Sequence, residues 1–205
     1  MEQDHFLKNN LYGLILAGGK STRMQKDKTV LMYHGRPQSH YCIELLQQFC
    51  DQVFLSCRKD QAQLKGYQGL QQIHDIAPFK DIGPLGGILS AMSQYPDRAW
   101  LVLAVDLPFV NRSTIDLLLT SRDPRKIATA YRSPHDGMPE PLCAIYESHA
   151  MSVLRDFYDR GIYCPRKILN HSDAILMTLP ESTALDNVNT PQEYNDALKN
   201  LELNQ

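Results

Sequence analysis

The stretch LILAGGKSTRMQKDK, residues 14–28, decides the fold. An apolar run over residues 12–17 stops at Gly18 and Gly19, and a polar segment rich in lysine and arginine follows. This pattern is typical of a buried strand that ends in a glycine-containing loop. The stretch therefore predicts a strand that delivers a loop to the edge of a sheet.

The loop has the composition of a phosphate-binding site. Gly18 and Gly19 lack a Cβ, so their backbone can adopt positive φ and bring main-chain N–H groups close to an anion. Arg23 and Lys28 add charges that neutralise phosphate oxygens, and Arg23 can donate two parallel hydrogen bonds. The GxxxxGK[ST] and GxGxxG spacings are both absent. We therefore expect a phosphate-binding loop of a different type.

The same stretch resembles the signature LAGGxSxRMGxDK of the molybdenum cofactor guanylyltransferases, a branch of the nucleotidyltransferases. The matching positions are Leu16, Ala17, Gly18, Gly19, Ser21, Arg23, Met24, Asp27 and Lys28. Gln25 stands where the family usually has glycine. The resemblance implies a nucleotide-binding set made of Leu16, Ala17, Gly18, Gly19, Arg23 and Lys28.

A second motif follows the most continuously apolar run of the chain. Residues 100–105, WLVLAV, predict the central parallel strand, and Asp106 comes directly after it. A carboxylate at the carboxyl end of such a strand points into the crevice where open α/β sheets bind ligands, and Mg²⁺ takes one or two such groups together with substrate phosphates. Asp106 is therefore the predicted Mg²⁺ ligand, and it matches the family's [CVA]DxP metal aspartate.

Two further acids precede the glycine-rich segment GPLGG at residues 83–87, which is similar to the family's GPLAG. Asp75, at the end of a predicted strand, fits the family's nucleotide-contacting aspartate better than Asp81. Gly86 and Gly87, near the start of a helix predicted over residues 88–94, would allow close backbone approach to a ligand or to the first loop.

Nucleotidyltransferases of this family pass the nucleotide to a second substrate, the acceptor. Residues for the acceptor are assigned only through the resemblance. Residues 186–191, DNVNTP, resemble the family's NxNTPEE element, in which Asn187 and Asn189 lie on alternating sides of an extended chain. Their role in holding Asp106, the metal or the acceptor stays open. Residues 190–193 predict a capping box that begins the last helix.

Weaker acceptor candidates lie in two other segments. Glu140-Pro141-Leu142 matches the strand that the family places antiparallel, and the loop before this strand would lie over the acceptor side. The candidates in the loop and in the helix predicted to begin at residue 165 are Arg132, His135, Asp136, Arg166 and Lys167.

Composition places the chain among ordinary globular proteins. Its 205 residues, 43% of them hydrophobic, predict one domain over residues 1–205. The formal net charge of −2 gives no chain-wide field for nucleic acid or an anionic membrane. A polar N-terminus and the lack of an apolar run of membrane-spanning length predict a cytoplasmic protein, and five scattered cysteines predict free thiols.

The order of the strand and helix patterns predicts a three-layer α/β fold with a mostly parallel sheet. The resemblance adds one antiparallel strand and a Rossmann-like fold of the nucleotide-diphospho-sugar transferase type. Other local predictions are an extended segment at residues 29–33, a helix from residue 58 through Leu64, and Ser113 as the cap of a helix through Leu119.

The resemblance implies transfer of GMP from GTP to molybdenum-molybdopterin, with release of pyrophosphate. Lys28 would stabilise charge at the α-phosphate, Arg23 would bind the triphosphate and Asp106 would hold Mg²⁺. The implied partners are GTP, molybdenum-molybdopterin and, transiently, proteins that deliver the cofactor.

Three alternatives remain. The cytidylyltransferases acting on the same pterin resemble LAAGxSxRMG, so Gly18 favours guanine. The sugar-phosphate and isoprenoid-precursor nucleotidyltransferases usually carry a proline where this chain has Asp27. The third alternative is a catalytically idle nucleotide-binding partner, which the departures at Gln25 and at Cys57, where the family often has asparagine, keep open.

Overall fold

The computed structural model describes residues 10–17, 28–180 and 183–203, and within these ranges strands alternate with helices. The strands are β1 (Leu11–Leu16), β2 (Gln52–Cys57), β3 (Gln72–His74), β4 (Ala99–Ala104), β5 (Ala128–Arg132), β6 (Pro139–Tyr146) and β7 (Ala174–Thr178). The helices are α1 (Gln38–Gln47), α2 (Pro84–Gln94), α3 (Arg112–Thr120), α4 (Ala150–Asp159), α5 (Pro165–Asn170) and α6 (Pro191–Leu203). None of these helices combines the length and the hydropathy needed to cross a bilayer.

The strands form one sheet in the order β3-β2-β1-β4-β6-β5-β7. Strand β6 runs antiparallel to both of its neighbours, β4 and β5, and the other neighbouring pairs are parallel. The predicted α/β fold, with a mostly parallel sheet and one antiparallel strand, is confirmed.

Helices cover both faces of the sheet. On β1, Leu11 and Ile15 pack into a core shared with α1 and α3, whereas Leu14 and Leu16 pack into a second core shared with α2, α4 and α5. The strand is apolar at every position because neither of its faces meets water. The result is the predicted arrangement of three layers.

Helix α6 packs on the body of the molecule through a small separate cluster, whose buried members are Leu31, Tyr33, Val188 and Ala197. The predicted capping box begins this helix: Thr190 N–H donates to Glu193 Oε2 at 3.1 Å, and Glu193 N–H donates to Thr190 Oγ1 at 3.2 Å. The box fixes the angle at which the chain enters α6.

The cap of α3 differs from the prediction. The capping residue is Asn111, whose Oδ1 accepts from Thr114 N–H at 3.1 Å, and Ser113 lies inside the helix. Ser113 instead donates its hydroxyl to Asn111 Oδ1 at 2.7 Å. Both residue types cap helices well, and the earlier one satisfies the free N–H group of the first turn.

The prediction of a helix from residue 58 through Leu64 was also wrong. Two short 3-10 turns, Lys59–Gln61 and Lys65–Tyr67, take its place. The side chain of Gln72 on β3 donates to the carbonyl groups of Ala62 and Tyr67 at 3.1 and 3.0 Å. Because Gln72 binds these carbonyl groups, they do not accept the hydrogen bonds of an α-helix, and the segment stays against β3.

The boundaries of two other elements differ from the prediction. The segment expected to be extended at residues 29–33 begins with a 3-10 turn, Lys28–Val30, in which the buried Thr29 carbonyl accepts the Ser39 hydroxyl at 3.0 Å. Helix α2 starts at Pro84 rather than near Ile88, because proline suits the first helical position, where no N–H group is needed.

Candidate functional site

The site lies where the carboxyl ends of β1, β2 and β4 meet. The sheet register places Leu16 between Ser56 on β2 and Ala104 on β4. Beyond the strands, Ala17 N–H donates to the Ser56 carbonyl at 3.0 Å, and Val105 N–H donates to the Leu16 carbonyl at 3.1 Å. The chain therefore enters the predicted phosphate loop directly beside Asp106. This is the position at which the strand order reverses and open α/β sheets bind ligands.

A cavity of about 340 Å³ opens at this edge, and we call it the nucleotide crevice after the role that the sequence predicts for its lining residues. Five of the predicted nucleotide-binding residues line it, namely Leu16, Ala17, Lys28, Asp75 and Asp106. The other three, Gly18, Gly19 and Arg23, lie outside the described residues, so their assignment remains a prediction.

Three parts of the chain converge at Lys28. Its ammonium group donates to Asp106 Oδ2 at 2.8 Å and to Asn189 Oδ1 at 2.6 Å. A backbone bond from Val188 N–H to the Asp106 carbonyl, at 2.9 Å, holds the third segment in place. Lys28 and Asp106 are only 18% and 24% exposed as side chains, so solvent screens their attraction less than that of a surface pair.

The surroundings of this cluster are partly dehydrated and negatively charged. Burial is the main cause that raises the pKa of Tyr33, followed by the charges of Tyr194, Asp106 and Glu193. Two protein oxygens thus face one ammonium group in a region of reduced water contact. The same arrangement suits any cation that bridges Asp106 to a bound phosphate.

The two candidate acids before α2 both line the nucleotide crevice. Asp75 follows β3 and is partly buried, and burial followed by the nearby charge of Asp81 raises its pKa. Asp81 is exposed and adopts positive φ. Asp75, the more buried of the two, remains the predicted nucleotide contact.

The glycine pair of α2 packs against the protein. A Cβ on Gly87 would lie less than 3.0 Å from Ser56 Oγ and 3.0 Å from Leu16 Cδ2. A Cβ on Gly86 would lie less than 3.0 Å from the Phe79 carbonyl oxygen. Among the described residues, these glycines bring α2 close to β1, to β2 and to the turn Ala77–Phe79, and Gly87 also lines the crevice.

A second cavity, of about 640 Å³, adjoins the first, and we call it the acceptor cavity because it is lined by several of the residues predicted for the acceptor side. The residues that line both cavities are Ala104, Asp106 and Leu142. Asn187 lines the acceptor cavity, whereas Asn189 binds Lys28. Both asparagines therefore lie close to the Asp106 region, and their roles remain a prediction.

The weaker acceptor candidates divide into two groups. His135, Asp136 and Arg166 line the acceptor cavity. Arg132 is bound to the Gly137 carbonyl at 2.8 Å and does not line this cavity, and Lys167 lies in the wall of a separate cavity beside α5.

Ion pairs organise the wall of the acceptor cavity. Arg166 donates to Asp136 Oδ2 and to Glu140 Oε1, both at 2.8 Å, and His135 lies 2.9 Å from Asp186 Oδ1. The hydrogen bond to Asp186, followed by its charge, raises the pKa of His135. The backbone N–H of Met138 is the main cause that lowers the pKa of Asp136.

Sequence reasoning did not propose Glu140 or Asp186 as site residues. Glu140 was noted only as part of a strand motif, although an acidic residue at the start of a strand adjoining β4 was a usable signal. No local pattern pointed to the acids of α6 that line the acceptor cavity, Glu193 and Asp196, because they face it only after the chain returns across the sheet.

Comparisons with known proteins agree with this geometry. A family model described as the MobA-like NTP transferase domain matches residues 13–175. A molybdenum cofactor biosynthesis bifunctional protein of Synechocystis sp. is 37% identical over 184 residues, which cover 90% of this chain and 52% of that protein. The chain thus spans about half the length of that relative.

Two further proteins match over most of their length. A molybdenum cofactor guanylyltransferase of Xanthomonas euvesicatoria pv. vesicatoria is 29% identical, with 89% of this chain and 91% of that protein covered. The crystal structure of molybdopterin-guanine dinucleotide biosynthesis protein A from Archaeoglobus fulgidus superimposes with a TM-score of 0.77 at 23% identity, covering 94% of this chain and 99% of the other. The structural likeness supports the fold.

Proposed function

Because the chain belongs to the MobA-like NTP transferase domain family, we propose that it transfers GMP from GTP to molybdenum-molybdopterin, releasing pyrophosphate. It is a nucleotidyltransferase, and the guanylyltransferases among its relatives favour this reaction over the alternatives. The proposal includes a cytoplasmic location and transient contact with the proteins that deliver the pterin.

One observation carries the proposal: Asp106 lines both cavities. A transfer between two small molecules needs the donor phosphate and the acceptor oxygen to meet at one point. In this chain, that point is the end of β4, with the nucleotide crevice on one side and the larger cavity on the other.

The nucleotide is placed with its triphosphate against the loop and Lys28. Backbone N–H groups of Gly18 and Gly19, together with Arg23, are assigned to the phosphates on the basis of sequence. Lys28 is the described cation nearest to Asp106 and supplies positive charge at the α-phosphate. Asp75 orients the base from the far wall of the crevice.

The reaction requires positioning and charge neutralisation, with no covalent intermediate on the protein. The terminal phosphate oxygen of the acceptor attacks the α-phosphorus, and the bond to pyrophosphate breaks. Lys28 stabilises the negative charge that this transfer concentrates on the α-phosphate oxygens. Asn189 fixes the direction of the Lys28 side chain through its 2.6 Å hydrogen bond.

The donor set around Lys28 also fits Mg²⁺. Asp106 and Asn189 turn oxygen atoms toward the same cation. The described residues hold no group of three or more acidic, histidine or cysteine ligands, so the remaining positions would belong to phosphate oxygens and water, as Mg²⁺ prefers. Asp106 would hold the ion, which when bound neutralises and orients the phosphates.

The test is a transfer assay with purified protein, molybdenum-molybdopterin, Mg²⁺ and either GTP or CTP. We expect pyrophosphate release and a guanine dinucleotide, detected by mass spectrometry, with GTP alone. Asp106→Asn should lower turnover by about 10²-fold or more. Asp123→Asn, which changes an acid paired with Arg125 outside both cavities, is the matched control and should retain activity. Product from CTP alone, or nucleotide binding without product from either, would refute the proposal.

A further inference from the structure

The acceptor cavity is lined by more acids than bases. Its described carboxylates are Asp106, Asp136, Glu140, Asp186, Glu193 and Asp196, and its cationic or basic side chains are Arg166 and His135. Each of these two is already paired with a cavity acid. Such a wall repels phosphate and molybdate oxygens and favours groups that donate N–H bonds.

The proposed acceptor has ends of opposite chemistry. One end carries a phosphate group, which must meet Lys28 and Asp106 for transfer. The other end is a pterin, whose 2-amino-4-oxo edge presents an amino group and a ring N–H beside a carbonyl oxygen. Lys28, which pairs with Asp106, attracts the phosphate end, and the other acids of the cavity suit the N–H groups of the pterin edge.

Glu140 is placed to meet that edge. In the antiparallel ladder between β4 and β6, the last pair is Leu103 with Cys143. Asp106 lies three residues after Leu103, and Glu140 lies three residues before Cys143 on β6, where it pairs with Tyr131 of β5. Both acids therefore lie at the same edge of the sheet, roughly 10 Å past the last β4–β6 pair. The two acids thus flank the same cavity from neighbouring strands.

The orientation of Glu140 is fixed by Arg166. The guanidinium donates to Glu140 Oε1 at 2.8 Å and is held on its other side by Asp136 Oδ2, also at 2.8 Å. Asp136 is itself anchored by the Met138 N–H at 3.0 Å. Within the described residues, Glu140 Oε2 has no hydrogen-bond partner, and the side chain is 21% exposed.

We infer that Glu140, held by Arg166, recognises the 2-amino-4-oxo edge of the acceptor's pterin. The carboxylate accepts the amino and ring N–H bonds, and Arg166 donates to the adjacent carbonyl oxygen. Phe109, Leu107 and Leu142 provide apolar surface in the same cavity for the faces of the ring. The inference rests on the proposed function, since it takes its ligand class from the acceptor of that reaction.

The experiment compares two small probes, pterin and lumazine, by quenching of their own fluorescence on the full chain. Lumazine has a carbonyl where pterin has the 2-amino group, so it turns an acceptor toward Glu140. We expect pterin to bind about 10- to 100-fold more tightly than lumazine, the range for losing a hydrogen bond to a charged group. Equal binding, or no measurable binding of pterin, would overturn the inference.

Glu140→Gln is the decisive variant because it keeps the shape of the side chain while adding an N–H donor. It should abolish the preference for pterin or reverse it toward lumazine. Asp196→Asn, which removes a different acid of the same cavity, is the matched control and should keep the preference. An unchanged preference in Glu140→Gln, or the same loss in Asp196→Asn, would contradict the inference.

The outcome is separable from that of the proposed function. Thermal stabilisation by GTP should be the same in Glu140→Gln and in the unmodified chain, because Glu140 does not line the nucleotide crevice. Pterin preference that depends on Glu140, in a protein that makes no dinucleotide, would support the inference and refute the function. Normal dinucleotide synthesis with unchanged acceptor KM in Glu140→Gln would refute the inference alone.

Discussion

Substituting Gly87 by alanine tests why α2 lies so close to the nucleotide crevice. The added Cβ would lie less than 3.0 Å from Ser56 Oγ and 3.0 Å from Leu16 Cδ2, so neighbouring atoms must move. Overpacking a core costs about 1–3 kcal/mol, whereas alanine in place of glycine inside a helix gains up to about 1 kcal/mol. We expect Gly87→Ala to lower the free energy of unfolding by about 1–2 kcal/mol.

The obstacle at Gly87 is a side chain, and it can be removed. Ser56→Ala deletes Oγ and leaves the Ser56 Cβ at 3.4 Å, which is ordinary van der Waals contact. Leu16 Cδ2, the end of a flexible side chain, remains at 3.0 Å and must still shift slightly, so the double variant should recover part of the lost stability. Gly86→Ala is the matched comparison, because its Cβ would meet the backbone carbonyl of Phe79, which no side-chain truncation removes. It should cost about 2–3 kcal/mol in either background.

Urea unfolding followed by the fluorescence of Trp100, the one tryptophan of the chain, measures these differences. The explanation fails if Gly87→Ala is equally destabilised with and without Ser56→Ala, or if Gly86→Ala is the milder of the two glycine variants.

Three other changes probe the site and its support. Lys28→Ala should lower turnover by about 10²- to 10³-fold in the transfer assay while the chain stays folded by circular dichroism, because a charge at the α-phosphate is lost; unchanged turnover would remove Lys28 from the mechanism. Glu147→Gln breaks a two-point ion pair with Arg122 in which both side chains are 7% exposed, and it should cost about 3 kcal/mol in urea unfolding, whereas a loss below about 1 kcal/mol would contradict this. Asp186→Asn should return the raised pKa of His135 toward its ordinary value in an NMR titration. Since the charged pair exists only while His135 is protonated, its contribution is complete at pH below the unfolded pKa and is lost as pH rises through the folded pKa; an unshifted titration would refute the pairing.

The strands and the position of Asp106 were predictable because their signal is local. Residues 100–105 are continuously apolar and end at an acid, and the structure has β4 in that place with Asp106 just beyond it. The errors arose where distant parts of the chain compete for the same backbone groups. The helix expected from residue 58 is absent because Gln72, on a strand that follows it, binds the carbonyl groups of the segment.

The meeting of three chain segments at Lys28 could not be predicted from any local sequence pattern. Lys28 and Asn189 are 161 residues apart in sequence and meet at 2.6 Å. Their contact requires β1 beside β4, so that the loop after β1 reaches Asp106, and it also requires the return of the chain before α6. A role can be predicted for each residue from its local sequence, but only the sheet order shows that these residues lie together.

The antiparallel direction of β6 explains why the acceptor cavity exists at this edge. Because β6 runs against β4, its first residues, including Glu140, lie at the edge of the sheet where β4 ends, and Glu140 and Asp106 line the same cavity. The loop that carries His135 and Asp136 is brought to the same edge, since it immediately precedes β6. A parallel β6 would place that loop and Glu140 at the opposite edge of the sheet, far from the phosphate loop. The one reversed strand in the described sheet is therefore what brings the wall of the acceptor cavity to the same edge as the nucleotide crevice.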